Sequence, residues 1–189
     1  MLCEKIICAG FGGQGVMSLG QLLAYGAMLQ GKHVTWLPSY GPEMRGGTAY
    51  CCVVVSDKPI GSPMITDNAT CCIVMNLPSL NKFESAVIPG GLLLVNSSLI
   101  EQKSYRDDIQ PYYLPVVEEA IACGNVKIAN IVMLGAYLEA TGLVQPDSVI
   151  KAFLKVFGAK AGRMTSLNSD ALKRGMALIH AASPVCAAA

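Results

Sequence analysis

From Ile6 to Gly31 the chain carries no charged side chain. A run of that length could cross a bilayer. Its glycines decide against a span: Gly10, Gly12, Gly13 and Gly15 cluster near its start, and Gln14, Gln21 and Gln30 lie within it. The pattern reads as strand, turn and helix. Lys5–Ala9 is a short apolar run suited to a buried strand, Gln14–Gln30 a helix, and Gly31 stands where a C-terminal cap belongs. Before the run, Glu4 and Lys5 cancel in charge, and no small-x-small cleavage site follows a sustained apolar stretch. Neither a signal peptide nor a membrane span is therefore expected, and the expected location is the cytoplasm.

The alternation continues. Val34–Leu37, Thr48–Val55, Cys71–Met75, Leu92–Val95 and Tyr112–Val116 read as strands. Val117–Cys123, Ile128–Thr141, Asp147–Phe157 and Ser169–Ala182 read as helices. Gly124, Gly142 and Gly158 sit at C-cap positions, Pro146 suits a first turn and Asn168 an N-cap. Ile128–Leu138 is apolar on nearly all sides and is expected to be buried. Apolar strands alternating with helices predict an α/β fold: a Rossmann-like, mostly parallel sheet with flanking helices and a C-terminal helical cluster. A length of 189 residues suits one domain, residues 1–189.

Charged residues make up 14% of the chain, against about 25% in a typical domain. So much neutral surface fits contact with other subunits, or else a large buried sheet, and predicts self-association of the chain in isolation. The net charge of +1 argues against a nucleic-acid partner. The eight cysteines include no C-x-x-C, so neither iron–sulfur nor zinc ligation is supported. Cys51–Cys52 and Cys71–Cys72 are strand neighbours that must point to opposite faces. Buried free thiols in a reducing compartment are expected.

Gly10-Phe11-Gly12-Gly13-Gln14-Gly15 matches G-x-G-x-x-G between a strand and a helix. The acidic residue that binds a dinucleotide ribose is missing: the second strand runs Val34-Thr35-Trp36-Leu37 into Pro38-Ser39, and Glu43 lies well beyond it. That lowers the case for NAD. It leaves two other readings, a turn that needs glycine for close helix–sheet packing, or contact with another ligand or subunit. Ser39-Tyr40-Gly41-Pro42-Glu43-Met44-Arg45-Gly46-Gly47 is the most distinctive stretch and too short for a crossover helix. Arg45 beside two glycines could present a guanidinium fork to a carboxylate or phosphate, or pair with Glu43. With strands one and two parallel, both loops leave the carboxyl edge of the sheet, where open α/β sheets bind ligands. The turns Asn76-Leu77-Pro78 and Asn96-Ser97-Ser98 are expected on the same rim.

Gly12-Gly13-Gln14-Gly15 followed by Ser39 to Gly47 resembles the gamma subunit, or gamma domain, of 2-oxoacid:ferredoxin oxidoreductases. The similarity continues through Ile60-Gly61-Ser62-Pro63, Pro89-Gly90-Gly91 and Ala129-Asn130-Ile131-Val132-Met133-Leu134-Gly135 to Asn168. The resemblance implies a complex that oxidatively decarboxylates a 2-oxoacid with coenzyme A, reducing ferredoxin. Thiamine diphosphate would bind between alpha and beta chains, and iron–sulfur clusters on beta or a delta chain. The gamma part packs on the others and helps enclose coenzyme A. The substrate implied is 2-oxoglutarate or a branched-chain 2-oxoacid, or pyruvate. The residues expected at that contact are Gly12, Gly13, Gln14, Gly15, Ser39, Tyr40, Arg45, Gly46 and Gly47, with no catalytic residue, metal or bound cofactor on this chain alone. His33 and His180 are read as structural, and Asp107–Asp108 and Glu118–Glu119 are adjacent pairs unsuited to acid–base work on one substrate. The rival readings are a free-standing NAD- or FAD-binding protein and an indolepyruvate oxidoreductase beta chain.

Overall fold

In a computed structural model, which describes residues 2–39, 48–158 and 165–182, the uncharged run becomes β1 (Cys3–Phe11), a glycine turn and α1 (Val16–Leu29). Ile6, Ile7, Cys8 and Ala9 are all buried. A central strand covered on both faces has no solvated side, so every position must be apolar. Leu19, Leu22 and Leu23 put one flank of α1 onto the sheet.

The elements that follow are β2 (His33–Ser39), β3 (Thr48–Ser56), β4 (Ala69–Val74), α2 (Leu77–Phe83), β5 (Val87–Asn96), β6 (Gln110–Leu114), α3 (Val116–Ala122), α4 (Ala129–Thr141), α5 (Pro146–Phe157) and α6 (Thr165–Ala181). Short 3-10 turns lie at Glu84–Ala86 and Val126–Ile128. Among the described residues the strands form one six-stranded sheet in the order β2-β3-β1-β4-β5-β6. β1, β4, β5 and β6 pair in parallel, while β3 is antiparallel to both β1 and β2. The mostly parallel α/β fold is thus present, with β3 as the one reversed strand. Its direction has a simple cause: residues 40–47 are too few for the dozen or more residues that a parallel crossover requires.

Alternation along the strands divides the core. Ile6, Cys8, Cys51 and Cys71 face the layer that contains α1, α4 and α5. Ile7, Ala9, Cys52 and Cys72 face Leu80 and Phe83 of α2 on the other side. The adjacent cysteines therefore do part to opposite faces, as the pleat requires. Residues Ala129 to Leu138 of α4 are buried without a break, because α4 is enclosed between the sheet and α6.

Four local expectations are corrected. Asn76-Leu77-Pro78 is not a simple turn: Asn76 accepts from Ser79 N at 2.9 Å and caps α2, with Pro78 in the first turn. β5 begins at Val87 and runs through Gly90-Gly91, and β6 begins at Gln110. α6 starts at Thr165, so Asn168 lies inside its first turn instead of capping it. Gly124, Gly142 and Gly158 do take the positive φ expected of C-caps. Among the described residues no helix is long and apolar enough to cross a membrane.

Candidate functional site

β1 leads through α1 to β2 on one side, and β4 leads through α2 to β5 on the other. α1 and α2 lie on opposite faces of the sheet. This reversal opens a crevice at the carboxyl ends of β1 and β4, the place where open α/β sheets bind ligands. A cleft of about 300 Å³ lies there. Gly13 and Gln14 line it from the glycine turn, Met75 and Asn96 from the ends of β4 and β5, and Val126 and Lys127 from the turn before α4.

The glycine turn is held by side-chain amides. Gln14 folds back so that its Oε1 accepts from Phe11 N at 2.6 Å while its Nε2 donates to Met75 O at 3.1 Å. Asn96 Nδ2 donates to the same carbonyl at 3.3 Å. Gly15 has φ 74 and caps α1; its carbonyl accepts from Leu19 N at 2.9 Å and from Asn130 Nδ2 at 3.0 Å. A side chain at Gly15 would be strained by the left-handed backbone and would meet Asn130 Nδ2 at 2.5 Å. Gly12 and Gly13 are exposed, and no acceptor among the described residues takes their N–H groups or that of Gly15. The turn offers backbone donors at the positive end of a helix, an arrangement that suits an anionic group.

The rim also carries exposed apolar side chains. Leu99 is 56% and Val126 53% exposed, and Phe11 and Leu77 are also exposed there. Lys127 is an exposed cation beside the cleft. Of the expected site residues, Gly13 and Gln14 line the cleft, with Gly12 and Gly15 beside them in the same turn. Ser39 lines a different groove of about 260 Å³, with Leu37, Tyr50 and Met64, on the α2 side of β2 and β3. Tyr40, Arg45, Gly46 and Gly47 lie outside the described residues. Sequence reasoning missed Met75 and Lys127, neither of which carries a motif. It placed Asn130 in a helix without giving it a role.

A family model described as pyruvate ferredoxin/flavodoxin oxidoreductase matches residues 5–178. The chain belongs to this family. It is 37% identical over 173 residues to ketoisovalerate oxidoreductase subunit VorA of Methanothermobacter thermautotrophicus, covering 90% of this chain and 35% of that relative. The chain thus spans about a third of the length of that relative. It is 35% identical over 156 residues to 2-oxoglutarate synthase subunit KorC of Methanocaldococcus jannaschii, covering 80% of this chain and 82% of that one. The gamma subunit of a keto/oxoacid ferredoxin oxidoreductase from Geobacter sulfurreducens has the same fold, with a TM-score of 0.80 and 28% identity over 94% of this chain and 99% of that chain. The fold recurs within 2-oxoglutarate:ferredoxin oxidoreductase from Magnetococcus marinus, whose structure has 2-oxoglutarate, coenzyme A and succinyl-CoA bound. There the TM-score is 0.87 and the identity 21%, over 98% of this chain and 32% of that one. Relatives in this family are therefore subunits of 2-oxoacid oxidoreductases, and the α/β fold is theirs.

Proposed function

We propose that the chain is the gamma component of a multisubunit 2-oxoacid:ferredoxin oxidoreductase. It packs against thiamine-diphosphate-bearing alpha and beta chains, with a delta chain where one is present, and its carboxyl rim helps enclose coenzyme A. The family match across residues 5–178 carries this reading. The rim supports it, because apolar Leu99 and Val126 suit a neighbouring chain, and the glycine-turn donors and Lys127 suit an anionic group such as a phosphate of coenzyme A. Thiamine diphosphate and iron–sulfur clusters belong to the partner chains, ferredoxin takes the electrons, and the complex works in the cytoplasm. The chain contributes position and enclosure and is inactive alone. The substrate is a 2-oxoacid of the ketoisovalerate, 2-oxoglutarate or pyruvate type, the kinds that similar relatives are named for.

The test is an anaerobic affinity pull-down of the tagged chain from its host, with partners identified by mass spectrometry. Recovery of thiamine-dependent chains is expected. Recovery of the chain alone, under conditions mild enough to keep complexes, overturns the reading. In the recovered complex Arg45→Ala is expected to raise KM for coenzyme A or weaken assembly, and no change in either removes Arg45 from the site.

A further inference from the structure

The glycine turn is tied to a distant helix, α4, by a buried side chain. Asn130 stands in the first turn of α4, is only 6% exposed, and donates to the carbonyl of Gly15 from 115 residues away. That carbonyl already accepts the first hydrogen bond of α1, from Leu19 N. Gly15 lacks a side chain where Asn130 needs room: a Cβ there would lie 2.5 Å from Nδ2 and 2.8 Å from Cγ. The two residues are shaped to each other, and their bond fixes where the glycine turn ends and in which direction α1 leaves it.

The other end of the turn is fixed separately, by Gln14 on Phe11 N and Met75 O. Between these two anchors lie Gly12 and Gly13, exposed, with N–H groups that have no acceptor among the described residues. Glycine peptides without side chains sample many orientations, and ordering them at the moment of binding costs affinity. An anchor that holds them beforehand removes that cost from the binding step.

We propose that Asn130 is a positioning residue for the coenzyme A contact. Through Gly15 it holds the turn's amide donors, and the first free N–H groups of α1, in the orientation that receives an anionic group of the ligand. This rests on the reading that the turn faces coenzyme A. The Asn130 side chain donates to the backbone of its own chain, so its effect falls on ligand affinity and leaves the chemical step unchanged.

In the assembled complex, Asn130→Ala is expected to raise KM for coenzyme A roughly five- to tenfold, the worth of one hydrogen bond. kcat at saturating coenzyme A, KM for the 2-oxoacid and the set of co-purifying chains are expected to stay within twofold of wild type. Unchanged KM for coenzyme A in an intact complex overturns the proposal, and so does a lowered melting temperature with unchanged KM, which assigns Asn130 a structural role alone. Should Asn130→Ala not assemble, Asn130→Ser fits the same space and gives the same readout. Hydrogen–deuterium exchange on the isolated chain separates the anchor from the function: Asn130→Ala is expected to speed exchange of the hydrogen-bonded amides of Gln14 in the turn and Leu19 at the start of α1 at least fivefold while the amides of β4 and β5 hold. Unaltered exchange at the turn overturns the anchor even if coenzyme A binds. Accelerated exchange in a chain that recovers no partners keeps the anchor and overturns the functional reading.

Discussion

Replacing Gly135 by alanine tests how the C-terminal helices hold together. α4 and α6 touch backbone to backbone. A Cβ at Gly135 would sit 2.1 Å from the carbonyl oxygen of Leu172, and one at Gly175 would sit 1.8 Å from that of Val132. Each glycine faces the residue three places before the other, so the contact is reciprocal. An added methyl needs about an ångström more room, and no side chain is available to give way. Overpacking of this kind costs about 1–3 kcal/mol, and rigid backbone on the far side puts Gly135→Ala near the top of that range. Alanine returns about 1 kcal/mol through helix propensity. The net loss is about 2 kcal/mol, equivalent to a melting temperature lower by about 4–8 °C for a chain of this size. Gly26→Ala in α1 is the control. Its Cβ would lie 3.1 Å from methyls of Val144 and Val149, which can turn aside, so its stability should stay within about 1 kcal/mol of wild type. The assay is urea unfolding of the isolated chain followed by far-UV circular dichroism. A Gly135→Ala variant as stable as wild type, or no weaker than Gly26→Ala, refutes the reasoning.

Three further outcomes follow from named contacts. Asn76→Ala removes the side-chain acceptor that caps α2 and should cost about 1 kcal/mol in the same urea assay. The Lys32 ammonium beside Asp57 and the Arg106 guanidinium beside Asp108 hold both carboxyls below their ordinary value. Their contribution is complete above the unfolded carboxyl pKa near ~4 and is lost as pH falls through the lower folded values; urea midpoints should therefore drop on this account only below about pH 4, with a smaller drop in Asp57→Asn. Burial pushes the Cys71 and Cys72 thiols well above their ordinary value, whereas Cys3 is exposed. Iodoacetamide should label Cys3 in the native chain and reach Cys71 and Cys72 only in denaturant; native labelling of either buried thiol would contradict this burial.

The elements that were legible are those whose signal lies within a few residues. The glycine turn, the buried β1 and the all-round apolar α4 each follow from a local run or spacing. α2 was missed because an asparagine followed two places on by a proline starts a turn and a helix equally well, and a seven-residue helix with Leu80 and Phe83 as its main anchors shows little periodicity. The first residues of β5 were missed because Gly90-Gly91 reads as a break, although the strand passes through it. At the site, the motif located Gly12, Gly13, Gln14 and Gly15. It could not reveal that the Gln14 amide is already engaged inside the chain, or that Asn130 and Asn96 complete the framework.

By itself the sequence determined the class of fold, the single βα turn at its start, the buried thiols and the family. These depend on which residues are apolar, which are glycine, and how closely they follow one another along the chain. The tertiary structure alone decided the crevice between β1 and β4, the glycine-to-backbone crossing of α4 and α6, and the bond from Asn130 to Gly15. Each of these joins positions tens of residues apart, and such a pairing exists only once the sheet order has brought the two ends together.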